Sequence, residues 1–211
     1  MQLSFAFGIP ASIVSAVIAF ASIQGGTPAP ASGAQTAPAQ AAATTFKVDG
    51  VHSCALFRVH HAGAGQFWGR FNNVTGTFTG GSAKPEGMAF DISIDVASVD
   101  TRTKKLDQHL LSPDFFNVAE FPNMTFKSTG VKARSGNMLD VTGDLTLLGV
   151  TKSITATIEF TGAMASAAGN RAGYEATFTI KRSEFGMKYG VEQGMLGDDV
   201  RIIVNLEGEK K

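Results

Sequence analysis

Residues 90–128 read FDISIDVASVDTRTKKLDQHLLSPDFFNVAEFPNMTFKS, and a change of period inside that stretch decides the fold. Up to Val96 the apolar side chains Phe90, Ile92, Ile94 and Val96 alternate with Asp91, Ser93 and Asp95. A period of two marks a strand with one apolar and one wet face. From Lys104 to Leu111 the residues favour a helix, with Leu106 and Leu110 one turn apart and Pro113 closing it. Phe115, Phe116 and Phe121 follow in an aromatic loop before Phe126 opens the next apolar run. A helix and an aromatic loop thus interrupt a series of strands, as a cap over one end would.

Outward from that stretch the alternation continues. Leu139, Val141, Leu145 and Leu147 alternate with polar residues, as do Ile154, Ala156, Ile158 and Phe160. Tyr174, Ala176, Phe178 and Ile180 repeat the pattern, followed by Val200, Ile202, Val204 and Leu206. Shorter strands centre on Phe57, Phe67 and Phe78. Asn72-Asn73, Gly80-Gly81, Ser135-Gly136-Asn137 and Gly169-Asn170 supply hairpin-type turns. The expected class is all-β, an antiparallel closed barrel of about eight strands with one short helix in a long capping connection; a sandwich is the alternative. A barrel of that size is about the smallest that can hold one ligand. Small inward residues such as Gly76 and Ala176 would leave room, but the alternation fits a solid core equally well.

The 211 residues divide unevenly. Residues 1–23 are apolar and uncharged, with Ala19-Phe20-Ala21 at a spacing that signal peptidases read, so they are expected to be a signal peptide or an N-terminal anchor. Residues 24–45 are Ala, Pro, Gly, Thr and Gln without charge, a flexible linker. Residues 46–211 remain for one barrel. The protein is therefore expected to be periplasmic or otherwise exported, with membrane association through the N-terminal segment if that segment is retained.

Eighteen basic residues balance eighteen acidic ones, and the sequence contains no basic run longer than a pair, which argues against nucleic acid as a partner. Cys54 is the single cysteine and is expected to be buried. His52, His60, His61 and His109 invite a metal or redox reading, but no His-x-His or Cys-x-x-Cys spacing supports it. A Gly-x-Ser-x-Gly elbow is likewise missing from the sequence, and no enzyme is expected. Asp198 and Asp199 are expected to cap a turn before the last strand. Arg182 continues the inward phase of Tyr174 to Ile180. It either bends out to solvent, pairs with an acid such as Asp100, or receives an anionic head group.

Several ordered motifs resemble the YceI-like family. They are Phe46-Lys47-Val48-Asp49 with His52-Ser53, Gly69-Arg70-Phe71, Ser98-Val99-Asp100-Thr101 and Ser112-Pro113-Asp114-Phe115-Phe116. Phe121-Pro122, Gly143-Asp144-Leu145-Thr146 and Arg182-Ser183 with Phe185-Gly186 extend the resemblance across residues 45–207. It implies a lipocalin-like barrel, usually exported and often dimeric. Its apolar tunnel would hold a long-chain isoprenoid or similar amphiphile, and it implies no catalytic residues and no cofactor beyond a bound polyisoprenoid lipid or quinone.

The expected ligand-binding residues follow. Phe57, Ile92, Ile94, Phe126, Leu145, Leu147, Phe178 and Ile180 would line the tunnel. Leu110, Phe115 and Phe116 would form its lid, and Asp100, His109 and Arg182 would meet a head group. The expected function is sequestration or transport of that amphiphile. Two alternatives stand beside it: a metal-dependent or redox-associated protein using surface histidines, and a stress-response structural partner with a solid core.

Overall fold

The computed structural model describes residues 43–166 and 169–210, so the leader and most of the linker lie outside the described residues. Eleven strand segments follow in order: β1 (Thr44–Val48), β2 (Cys54–His61), β3 (Gly65–Phe71), β4 (Val74–Gly80), β5 (Ala89–Asp95) and β6 (Val99–Asp100), then β7 (Asn123–Ala133), β8 (Met138–Leu147), β9 (Val150–Ser166), β10 (Gly169–Lys181) and β11 (Leu196–Lys210). Helix α1 spans Lys104–Leu111, where the sequence places it.

Eight strands form a closed antiparallel ring in the order β1-β4-β5-β7-β8-β9-β10-β11, with β11 returning to β1. The other three add an upper tier to the same wall. Residues 196–205 of β11 pair with β2 on the edge whose later residues, 208–210, pair with β1. β2 then pairs with β3, and β3 with β6. The chain therefore steps along an existing edge at Asp49, whose N–H donates to the Glu207 carbonyl at 2.8 Å.

Asn72-Asn73 is consequently not a hairpin turn. β3 and β4 do not pair with each other; they occupy upper and lower tiers of one wall. Nothing in the local residues distinguishes a hairpin from a strand that changes partners.

β6 pairs with β3 and β7 with β5 and β8, so the upper tier stops short of closure among the described residues. The connection from Thr101 to Pro122, with α1, fills that gap and packs on β6. Asp107 anchors it by accepting from the Thr101 N–H and hydroxyl, each at 2.7 Å. At this end lie the capping connection, the tip of the β2–β3 hairpin and the 186–195 segment.

The opposite end is solid. Phe46 stacks on Phe78 at 5.2 Å, and Tyr174 meets Phe78, Phe90 and Phe160 at 5.3, 5.4 and 5.4 Å. Tyr174 is fully buried, and its hydroxyl donates to the Ser82 carbonyl while accepting from the Gly81 and Ser82 N–H groups.

Gly76 has a different purpose from the one its size suggests. Its φ is +129°, and a Cβ there would stand 2.1 Å from the Asp91 carbonyl oxygen. It serves close approach of β4 and β5 and opens no cavity.

Candidate ligand-binding site

The half of the barrel beneath the cap encloses a cavity of about 150 Å³. Its walls are hydrocarbon and aromatic except for Thr125 and Arg182. A dry apolar cavity of that size accepts a ligand of roughly one aromatic ring.

Of the residues expected to line a tunnel, Phe57, Ile92, Ile94, Phe126, Leu145, Leu147, Phe178 and Ile180 all face this cavity. Phe115 and Phe116 close its upper end. Leu110 is buried behind them and does not reach the cavity wall. Phe71, Met187, Leu196 and Val200, which the sequence does not assign to the tunnel, also line it. Phe71, Leu196 and Val200 lie on strands, where the signal is the same alternation and does not say which half of each strand meets empty space; Met187 lies in the irregular segment after the 3₁₀ turn, where no period marks it.

Arg182 is buried, 3% exposed, at the start of a 3₁₀ turn (Arg182–Phe185) that follows β10. Its Nε donates to the Gly197 carbonyl at 2.8 Å, Nη1 to Met187 at 3.2 Å, and Nη2 to Tyr189 and Leu196 at 2.8 and 3.3 Å. These contacts occupy four of the guanidinium's five N–H groups. Burial pulls its pKa down, and the nearby Asp198 charge opposes the shift. Arg182 neither turns out to solvent nor pairs with Asp100. Backbone carbonyls of the 186–197 segment satisfy it, so it fixes that segment over the cavity.

Asp198 bonds a turn that precedes β11, but one distant in sequence, the 3₁₀ turn at Arg182–Phe185. It lies within β11, where its carboxylate accepts from the Ser183 N–H and hydroxyl at 2.9 and 2.8 Å, which holds it below the ordinary range against the opposing effect of burial.

Two other head-group candidates stand away from the cavity. Asp100 accepts from the Arg102 N–H at 2.8 Å and faces Arg70 at 3.7 Å, and the Arg102 contact leads the lowering of its pKa. His109 is bonded to Asp114 at 3.0 Å. The His109 ring instead meets Phe115 and Tyr189 edge-on, at 5.0 and 5.2 Å. This three-ring contact joins the α1 connection to the 186–195 segment.

The histidine chemistry reads differently in three dimensions. His60 and His61 are exposed near the end of β2. Among the described residues Asp49, His52 and Glu207 come within metal-ligand reach of one another. Arg171 already bonds the two acids of the three, with Nη1 2.9 Å from Asp49 and in contact with Glu207, and it also reaches Glu209. A guanidinium there supplies the positive charge that a metal ion would bring. Cys54 is half-buried and not fully enclosed, because it lies on the outward face of β2 opposite Asn205.

The YceI-like domain pattern matches residues 46–208, nearly the whole barrel. The chain belongs to the YceI-like family. A curated relative, Protein YceI of Escherichia coli O157:H7, is 39% identical over 171 residues, covering 80% of this chain and 88% of that one. Among solved structures, BcnA of Burkholderia cenocepacia superposes with a TM-score of 0.66 at 24% identity, covering 76% of this YceI-like chain and 98% of BcnA. A domain of Saccharophagus degradans described as polyisoprenoid-binding superposes with a TM-score of 0.62 at 17% identity, covering 80% and 99%. At those identities the two superpositions speak for the YceI-like barrel alone.

Proposed function

We propose that this protein is a lipid container, which sequesters or carries an isoprenoid or quinone-like amphiphile in the apolar half of its barrel. The observation that carries the reading is an apolar cavity of about 150 Å³ set beneath an aromatic cap that includes Phe115 and Phe116. Burial of each methylene of a tail contributes about 0.8 kcal/mol, so a long chain binds without specific polar contacts. The remaining Nη1 N–H of Arg182, the one charged side chain on the cavity wall, is the natural partner for a carbonyl or oxyanion of the head group. The description of the Saccharophagus domain as polyisoprenoid-binding supports the ligand class. Export by the leader, as the apolar residues 1–23 suggest, would place the container outside the cytoplasm. The reading assigns the barrel no catalytic role.

Native mass spectrometry with organic extraction, on protein purified without detergent, tests this. A discrete added mass that extracts as a prenyl lipid is expected, and Ile94→Arg should abolish it while leaving the fold intact. Protein of bare mass that stays empty after incubation with prenyl lipids would overturn the container and favour a solid-core structural role.

A further inference from the structure

The fold assembles a cationic band that is invisible in the chain's zero net charge. On the outer wall at the capped end, Arg201 of β11 lies opposite Arg58 of β2, and Arg58 opposite Trp68 of β3. On the far side of β3, past β6, come Arg102 and then Lys104 and Lys105 at the start of α1, all exposed. None of these five cations has an ion-pair partner among the described residues. Three acids near this band are already engaged: Asp100 faces Arg70, Asp199 pairs with Lys181 at 3.0 Å, and Asp107 is bonded to Thr101; Glu192 of the 186–195 segment is exposed at the same end. Like charges directly opposite across strands destabilise a sheet, so Arg58 beside Arg201 is a cost that folding alone does not explain.

A second observation falls on the same spot. The Nε of Arg58 is buried without a hydrogen-bond partner, and its guanidinium carbon lies 5.8 Å from the centre of the Trp68 ring. Trp68 is nevertheless 45% exposed. An exposed tryptophan framed by unpaired arginines and lysines is the side-chain chemistry of an anionic bilayer interface.

We propose that this band, Arg201–Arg58–Trp68–Arg102 with Lys104 and Lys105, docks the capped end on an anionic phospholipid surface. The inference rests on the container reading, because α1 is both part of the band and part of the cap. Docking would bring the cap to the bilayer from which an apolar ligand must come. A protein or nucleic-acid partner would explain the charges but not their position beside the cap.

Trp68 is the single tryptophan, so intrinsic fluorescence reads this surface directly. Vesicles of phosphatidylglycerol and phosphatidylethanolamine should blue-shift its emission, and brominated acyl chains should quench it. Phosphatidylcholine vesicles should do neither. Lys104→Glu with Lys105→Glu should weaken the response about fivefold per cation, as should Arg201→Glu, and high salt should suppress it. Equal responses to both vesicle types, or none, would overturn the proposal. Stronger binding to an acidic peptide or a duplex DNA than to vesicles would overturn it in favour of those partners. Lipid content of the same samples is read by mass spectrometry: a protein that docks yet never carries lipid tells against the container and leaves docking standing.

Discussion

Tyr189 and Phe115 meet with ring centroids 5.0 Å apart above the cavity, and the contact joins the capping connection to the 186–195 segment. His109 stands edge-on to both rings. Aromatic pairs of this kind contribute about 0.5–1.5 kcal/mol beyond area burial. Tyr189 itself is 41% exposed, so little core depends on it. Tyr189→Ala should therefore speed dissociation of a bound fluorescent prenyl probe by several-fold to about tenfold in stopped-flow, with only a small change in Tm. An unchanged dissociation rate would mean that the clasp is not the gate.

The distal edge of the Phe57 ring covers Gly69, and a Cβ on that glycine would stand 2.3 Å from Cζ of the ring. Gly69→Ala must push the ring towards the cavity, at about 1–3 kcal/mol for overpacking. Reduced probe capacity should accompany the lower stability. Adding Phe57→Ala should recover capacity, and chemical denaturation of the four variants closes the cycle.

Arg182→Leu should cost at least about 3 kcal/mol, because it strips charged donors from the carbonyls of Met187, Tyr189, Leu196 and Gly197. Hydrogen exchange should show the 186–197 amides losing protection first. Arg182→Lys should rescue only part of this, since an ammonium cannot reach four carbonyls from one fork.

Tyr174→Phe removes a hydroxyl that serves three backbone groups of Gly81 and Ser82 without changing the shape of the packed end. A loss of about 1–3 kcal/mol is expected in urea unfolding. Ligand capacity should not change, because the cavity is at the other end.

His52 donates its Nδ1–H to the Asp49 carboxylate at 2.7 Å, and that hydrogen bond raises the imidazole pKa. A raised folded pKa contributes stability that is fully present below the unfolded value of about 6.5 and is lost as pH rises through the folded value. Wild type should therefore lose more Tm than His52→Gln between about pH 6 and pH 9. Parallel curves for the two proteins would show that the pair is energetically idle. Asp49 has the opposite sense: its pKa is lowered, chiefly by His52 and then Arg171, so its contribution fades only in acid.

Much of this molecule was legible in one dimension. The bounds of α1, the alternating strands β5, β8, β10 and β11, and the capping role of the Phe115-Phe116 loop follow from period and helix-stop chemistry. Those signals are local, because side-chain direction is set by the backbone of the residue that carries it. The Asn72-Asn73 connection escapes those signals because strand pairing is non-local. Asp100 and His109 were misplaced for a related reason: polar residues in a cap can point into a mouth or away from it, and only their partners Arg70 and Asp114 decide.

What the amino-acid sequence determined by itself was which side chains face inward. It could not say whether the inward space was full. Tyr174 and Phe178 sit four residues apart on one face of β10, yet Tyr174 is locked among rings and Phe178 borders the cavity. The same is true of charge: a chain of zero net charge carries no hint that Arg201 lies opposite Arg58 and Arg58 opposite Trp68. Packing density and charge clustering are sums over residues distant in sequence, and they acquire values only when β11 closes the barrel.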